Sequence, residues 1–366
     1  MIGARHLVHV FPSFGAGGVP IRIAAVINHL GPRCRHTVVA LNGNADAAER
    51  IAPDADVRII YPEIDKKHPL RTFSAISRQL HALEPDVLLT FNWGATEWAL
   101  VDRFRHGIRH IHFESGFGPE EARRQKRRRV LFRRLALGKT EKIVVPSENL
   151  ISIVRNIWKL PPDRVQLIPN GVDCDRYGAP PDPGALPAFH PGEDIVIGTV
   201  APLRPEKNLQ RMIAAFEAAE MPNTRLLIVG DGSERPGLED MAARSPVSDR
   251  IHFAGYIGAP EKVFGLMDVF AMSSDTEQMP NALLQAMAAG RPVVATDVGD
   301  IRPIVAEENR PFVVPLPDAG AYTDAMRTLM ADADLRQRLG AANRTRVRET
   351  YSMEKMLQAY ERLLLP

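Results

Sequence analysis

The sequence predicts an α/β protein built from two doubly wound units, and three observations carry that expectation. At 366 residues the chain is too long for one ordinary core and suits two units of roughly 150 to 180 residues each. Short Val/Ile/Leu runs alternate with helical patterns, and runs that are continuous rather than alternating mark parallel strands buried on both faces. A Pro/Gly-rich stretch from Gly178 to Gly192 interrupts the alternation once, after which it resumes.

In order, His6-Leu-Val-His-Val-Phe11 gives a first buried strand over 7–11. It is short and has no small-residue cleavage site, so it does not read as a signal peptide. Phe14-Gly-Ala-Gly-Gly-Val-Pro20 turns the chain into a helix from Pro20 to Leu30, proline being suited to a first helical turn. Strands follow over 36–41, 57–60, 87–90, 110–113 and 142–145, with a helix near 70–83. The first domain is expected over 1–172, closing at Pro169-Asn-Gly-Val-Asp173, with 173–192 as linker. The second, 193–350, takes strands over 195–200, 225–229, 251–253, 269–272, 293–296 and 312–314, and helices over 208–220 and around 334–349. The stretch 351–366 reads as a terminal amphipathic helix.

Composition is that of a globular protein, and no apolar run approaches the roughly 18 to 20 residues of a membrane span. Cys34 and Cys174 lie far apart without metal-ligand spacing, which fits a reducing compartment. A cytoplasmic location is expected. Net charge is only +2, but it conceals a local excess: residues 122–139 hold nine cations and no acid, interleaved with Val130, Leu131, Phe132, Leu135 and Leu137. Such a helix can lie on anionic lipid. It can equally present a solvated outer face over a core, meet an anionic acceptor or touch nucleic acid nonspecifically; no nucleic-acid module accompanies it, and no such partner is expected.

The most informative stretch is Ser274-Asp-Thr-Glu277-Gln-Met-Pro280-Asn281-Ala-Leu-Leu-Gln285, followed by Gly290-Arg-Pro292-Val-Val-Ala-Thr296. An acid in a polar loop, a Pro-Asn helix start and a Val-Val strand present a helix N-terminus to an anion. With Ile168-Pro-Asn-Gly-Val-Asp173, Pro205-Glu-Lys-Asn208, Ile228-Val-Gly-Asp-Gly232 and Phe253-Ala-Gly255 in order, the chain resembles family 4 glycosyltransferases. These are retaining enzymes of the GT-B fold, in which two Rossmann-like domains face each other across a cleft. Each block alone is a common turn; their order is the signal.

The resemblance implies roles residue by residue. Glu277 matches the first Glu of the family's donor motif and contacts the sugar; the plainer account is a carboxylate favouring a helix N-terminus by about 0.3 to 1 kcal/mol. The amides of Asn281, Ala282 and Leu283 meet the sugar or diphosphate. Gln285 stands where the family has a second Glu that holds the ribose; an amide lacks that charge, so weaker nucleotide affinity is expected. Lys207 matches the diphosphate lysine, its plainer account being a solvated loop cation. The family's arginine five residues earlier is Pro202, which cannot donate, and Arg204 offers its planar fork instead. Gly17 and Gly18 match a Gly-Gly loop that approaches donor and acceptor. As a dinucleotide fingerprint their spacing fails, and an oxidoreductase is a poor reading.

For the acceptor side, His110-Ile-His-Phe-Glu-Ser-Gly116 ends a strand of the first domain. His112 is matched to the family's histidine, with Glu114 second and Ser115 under another alignment; a core-edge histidine remains the plainer account. Asp173-Cys-Asp175 resembles a metal motif but sits in a turn, and neither a metal nor another cofactor is expected. In relatives the terminal helix returns to the first domain. The function implied is transfer of a sugar from a nucleoside diphosphate sugar to a carbohydrate or lipid-linked acceptor hydroxyl, in surface polysaccharide or glycolipid synthesis. The alternative is a GT-B scaffold with weakened or lost catalysis acting as a membrane-peripheral subunit, for which Pro202 and Gln285 speak. An epimerase on this fold would need cleft carboxylates that the sequence does not place.

Overall fold

A computed structural model describes residues 4–64, 67–117, 121, 125–316 and 318–365. The chain divides into two compact units, Met1–Pro169 with Met356–Pro366, and Asn170–Lys355.

The first unit runs β1 (Arg5–Phe11), α1 (Gly18–Leu30), β2 (Cys34–Ala40), β3 (Val57–Ile60), α2 (Pro69–Leu83), β4 (Val87–Phe91), α3 (Thr96–Arg105), β5 (Arg109–Phe113), α4 (Arg127–Leu137), β6 (Lys142–Val145), α5 (Glu148–Asn156) and β7 (Val165–Leu167). The strands form one parallel sheet in the order β3-β2-β1-β4-β5-β6-β7. Helices cover both faces, which is why β1, β4 and β5 are almost wholly buried and read as continuous runs. The sequence pattern does not reveal β7, three residues long at a sheet edge with Leu167 36% exposed.

Four rings stack across this unit. Phe11 lies 4.0 Å from Phe91, Phe91 4.9 Å from Phe113, and Phe113 5.6 Å from Tyr360 near the chain's end. Glu361 and the Leu363 carbonyl fasten the same terminal segment, the first to His29 at 2.7 Å and the second to Arg109 Nη2 at 2.8 Å. The sheet also buries five histidines: His6 Nε2 lies 2.8 Å from Thr37 Oγ1, His9 Nε2 and His36 Nδ1 are 2.9 Å apart, and Thr90 Oγ1 lies 2.8 Å from both His110 Nε2 and His112 Nδ1.

The second unit runs α6 (Cys174–Gly178), β8 (Ile195–Val200), α7 (Leu209–Ala218), β9 (Thr224–Val229), α8 (Arg235–Arg244), β10 (Ile251–Gly255), β11 (Val269–Met272), α9 (Asn281–Ala288), β12 (Val293–Thr296), α10 (Ile301–Ile304), β13 (Val313–Val314), α11 (Ala319–Ala331) and α12 (Ala333–Thr350). The chain ends with α13 (Met353–Leu364). Its sheet is parallel in the order β10-β9-β8-β11-β12-β13.

The stretch 173–192 corrects the expected linker. It turns through α6 and buries Cys174, Leu186 and Phe189 in the second unit's core with Val263, Phe264 and Met267. Its prolines and glycines shape turns that return apolar side chains to that core. α1 begins at Gly18, ahead of Pro20, with Gly17 as its N-cap.

Candidate active site

In the second unit the strand order reverses between β8 and β11, where an open α/β sheet leaves a crevice beyond its carboxyl ends. The loop after β8 carries Arg204 and Lys207; the loop after β11 carries Glu277 and leads into α9. Polar bonds fasten these loops together: the Asp275 amide donates to the Glu206 carbonyl (2.9 Å), Ser273 Oγ to the Lys207 carbonyl (3.0 Å), and Arg211 pairs with Asp275 at 2.7 Å. Gly230 and Gly232, after β9, press on the first loop; a Cβ at Gly230 would lie 1.9 Å from the Ala201 carbonyl oxygen and one at Gly232 2.4 Å from that of Leu203. Close backbone contact is thus the local reason for the Gly-Asp-Gly block.

The fastening brings two predicted residues together. Lys207 Nζ donates to Glu277 Oε1 at 2.5 Å, and Ser274 Oγ donates to the same oxygen at 2.8 Å. Glu277 is held from behind: Thr296 Oγ1 donates to the Ser274 carbonyl (2.6 Å), and Gly299, at φ 57°, lies where a Cβ would come within 2.3 Å of the Glu277 carbonyl oxygen. No side chain caps α9, which leaves its first amides, Asn281 to Leu283, without a side-chain partner at the helix start. The Asn281 side chain accepts from Asn170 Nδ2 at 2.9 Å, which in turn anchors the Met279 carbonyl at 3.0 Å.

Sequence reading missed Ser274, Asn170 and Gly299 as supports, although the first two lie inside the motif blocks. Gln285 is half-buried one turn into α9 and its amide makes no hydrogen bond among the described residues; Arg204 is exposed without an acidic partner there. Asp173 caps α6 through the Arg176 amide (3.0 Å), and Asp175 pairs with Arg348 (2.8 Å).

In the first unit Gly17 and Gly18 are exposed at the start of α1, neither with positive φ. His112 and Glu114 lie at the carboxyl end of β5, both fully buried, with His112 Nε2 3.9 Å from Glu114 Oε2. Arg133 Nε is also 3.9 Å from Glu114 Oε2, and neither Glu114 oxygen accepts a hydrogen bond. Ser115 accepts from Arg22 Nη2 at 3.0 Å while its amide donates to Asn92 Oδ1 at 2.9 Å.

The basic segment divides by direction. Arg123 and Arg124 lie outside the described residues. Arg133 is 1% exposed, pairs with Glu121 at 3.0 Å, and stacks its guanidinium 4.8 Å from the Trp93 ring and 4.9 Å from Trp158. Arg129 joins the same carboxylate at 3.0 Å. Burial pushes the Glu121 carboxyl up, but hydrogen bonds from Arg133 and Arg129 outweigh it and hold the group below its ordinary value. Arg134 caps the Trp158 and Ile157 carbonyls. Arg127 and Arg128 face outward beside Leu131, 67% exposed, and Leu135, 44% exposed.

Comparison with known proteins bears on the family and the fold. The "Glycosyltransferase Family 4" model matches residues 16–176 and the "Glycosyl transferases group 1" model residues 187–346. Lipopolysaccharide core biosynthesis glycosyltransferase LpsE of Rhizobium meliloti is 30% identical over 174 residues, 48% of this chain and 51% of that protein. A D-inositol 3-phosphate glycosyltransferase of Stackebrandtia nassauensis is 26% identical over 75% of this chain and 68% of its own. The chain thus aligns with about half to two thirds of the length of these relatives. HepE of Anabaena, solved in complex with UDP-glucose, superposes with a TM-score of 0.83 at 15% identity over 98% of this chain and 99% of its own. WaaG, a glycosyltransferase involved in lipopolysaccharide biosynthesis, gives 0.76 at 17% identity over 98% and 99%. With both halves matched in order and the fold shared throughout, the chain belongs to the family 4 glycosyltransferases of GT-B fold.

Proposed function

We propose that this protein transfers a sugar, with retention of anomeric configuration, from a nucleoside diphosphate sugar to an acceptor hydroxyl. The observation that carries the reading is the Lys207–Glu277 pair beside the uncapped start of α9, at the switch point of the second sheet. Lys207 and the amides of Asn281 to Leu283 stabilise the departing diphosphate, where charge develops as the glycosyl bond breaks. Glu277 accepts hydrogen bonds from the sugar hydroxyls and fixes the ring. The acceptor oxygen bonds to the anomeric carbon on the face the diphosphate leaves, and its proton passes to the leaving phosphate, so no separate base is required. His112 and Glu114 serve the acceptor side, with Gly17 and Gly18 the loop that approaches it. No metal or cofactor enters this scheme.

UDP-glucose is the first donor to test, HepE having been solved with it. Titration of UDP-, GDP- and ADP-sugars by calorimetry, followed by hydrolysis and transfer assays, separates an enzyme from a binding scaffold. Binding without turnover across an acceptor panel overturns the transfer reading. Replacing Gln285 with Glu is expected to tighten donor binding by about tenfold, the difference between a charged and a neutral hydrogen bond. An unchanged Kd means that the ribose is held elsewhere.

The acceptor we favour is a lipid-linked or surface saccharide, in keeping with the lipopolysaccharide relatives. The outward face of α4 supports a peripheral position on anionic membrane: Leu131 and Leu135 stand one turn apart and exposed, flanked by Arg127 and Arg128. Each cation near such a surface contributes about 1 kcal/mol. The protein should pellet with anionic vesicles at low salt, and Leu131→Ser with Leu135→Ser should release it. Equal pelleting with neutral vesicles, or none at all, refutes the docking.

A further inference from the structure

A second charged hollow lies at the amino-terminal edge of the second sheet, the opposite end from Lys207 and Glu277. Asp268 directly precedes β11, and Arg291 and Pro292 directly precede β12. Against them pack Arg336, Gly340 and Arg344, spaced four apart on one face of α12. α12 comes close because residue 340 has no side chain: a Cβ there would lie 2.1 Å from the Gly290 carbonyl oxygen. The remaining cavity, about 460 Å³, is bordered by all three arginines.

These guanidiniums are drawn there partly by helix ends. Arg291 Nε and Arg344 Nη2 both donate to the Ala289 carbonyl, at 3.0 and 3.2 Å, at the end of α9. Arg336 Nη1 donates to the Leu329 and Met330 carbonyls near the end of α11. Cations belong at helix C-termini, each of which carries about half a negative charge. That account leaves charge over. Three guanidiniums less Asp268 and two half-charges leave about one positive unit facing the hollow.

Among the described residues, none of the three reaches a carboxylate within ion-pair distance, whereas Arg176, Arg211, Arg225, Arg302 and Arg348 of the same unit all do. Their second forks, Arg291 Nη2, Arg336 Nη2 and Arg344 Nη1, enter no hydrogen bond within the described protein. Burial presses the Arg291 guanidinium below its ordinary value; Asp268 opposes and Arg344 adds to the effect.

From this convergence we propose that the hollow between α12 and the end of α9 is an oxyanion site for a phosphomonoester or inorganic phosphate, separate from the donor site. The ligand fits by chemistry: a phosphate carries about −1.5 to −2 charge and three acceptor oxygens, and planar guanidinium forks match it better than a point charge does. The site is independent of the donor reading, since none of its residues lies in the loops that hold Lys207 or Glu277.

The test is thermal unfolding in inorganic phosphate against chloride at equal ionic strength, with Lys207→Ala in every protein to weaken the donor site's own response, so that the arginine variants report the hollow. Phosphate should raise the melting temperature of the Lys207→Ala protein over its own phosphate-free baseline. Adding Arg336→Gln and Arg344→Gln should weaken the apparent affinity by about tenfold or more, the equivalent of about 1.4 kcal/mol. Asp268→Asn keeps an oxygen for the Val196 amide, now 2.8 Å away, and removes the opposing charge, so it should tighten phosphate binding. An equal response to chloride, an unchanged phosphate response in the arginine variants, or weaker binding in Asp268→Asn overturns the assignment.

Discussion

Glu277→Gln and Lys207→Met are each expected to lower sugar transfer by about 10²- to 10³-fold, the usual loss when one group aimed at developing charge is removed. The pairing of the two residues complicates single variants. With side chains 10% and 18% exposed, the loss of one leaves the other partly buried without its counter-charge. Glu277 would keep only Ser274. Part of any lost activity could then be lost structure. The double variant separates the two effects: Lys207→Met with Glu277→Gln removes both charges, so stability should recover towards the parent while transfer stays at the floor. Melting temperature and kcat/KM measured on all four proteins give the cycle. Full transfer activity in the double variant would place the chemistry elsewhere.

Acid is expected to destabilise this protein at pH values where most exposed carboxylates are still ionised. His9, His36 and His110 are buried neutral. Burial lowers all three: His9 falls well below 6.5, with His36 and His6 adding to the effect; His36 falls to about 4, with Asp56 opposing; His110 falls to about 3, with His112 adding. Below 6.5 the unfolded chain takes up protons that the folded chain refuses. Their stability is therefore complete above pH 6.5 and declines as pH falls towards the folded values. By pH 5 His36 and His110 each cost about 2 kcal/mol, and His9 acts in the same direction.

Asp102 works the other way. Burial raises its carboxyl to about 6, against hydrogen bonds from the Ile108 and Gly107 amides, so below pH 6 the folded chain binds a proton that an unfolded Asp near 3.8 does not. It returns about 1.4 kcal/mol by pH 5. The net loss from His36, His110 and Asp102 is about 2 to 3 kcal/mol, to which His9 adds, a sizeable part of a typical domain's stability. Urea midpoints at pH 7.5, 6.5 and 5.0 check this, and His36→Gln should flatten the decline. Equal midpoints at pH 7.5 and 5.0 would falsify the account.

The parallel strands were legible because burial on both faces leaves a run of apolar residues, as in Val87–Phe91 or Val293–Thr296. β7 was not, being too short to leave a pattern. The stretch 173–192 misled because turn residues were plain while the few apolar side chains they deliver, Leu186 and Phe189, were not spaced as an element. Motif order gave both members of the Lys207–Glu277 pair, but their bond spans 70 positions and depends on how two loops are fastened. The basic segment shows the limit most clearly. Nothing in a row of cations distinguishes Arg133 from Arg128; Trp93, Glu121 and Trp158, supplied by separate segments, turn one inward and leave the other outside.

The bond between Lys207 and Glu277 also bears on discrimination between whole and partial ligands. On the donor reading, Lys207 and Glu277 satisfy one another until a donor displaces the bond. A free phosphate or diphosphate can compete for Lys207 but offers no hydroxyl to Glu277, which it would leave with Ser274 alone. An intact nucleotide sugar replaces both partners in a single exchange. On that reading the pair would work as a two-key lock: fragments, including the spent nucleoside diphosphate, would be disfavoured relative to the complete donor, and re-forming the pair would favour release after transfer.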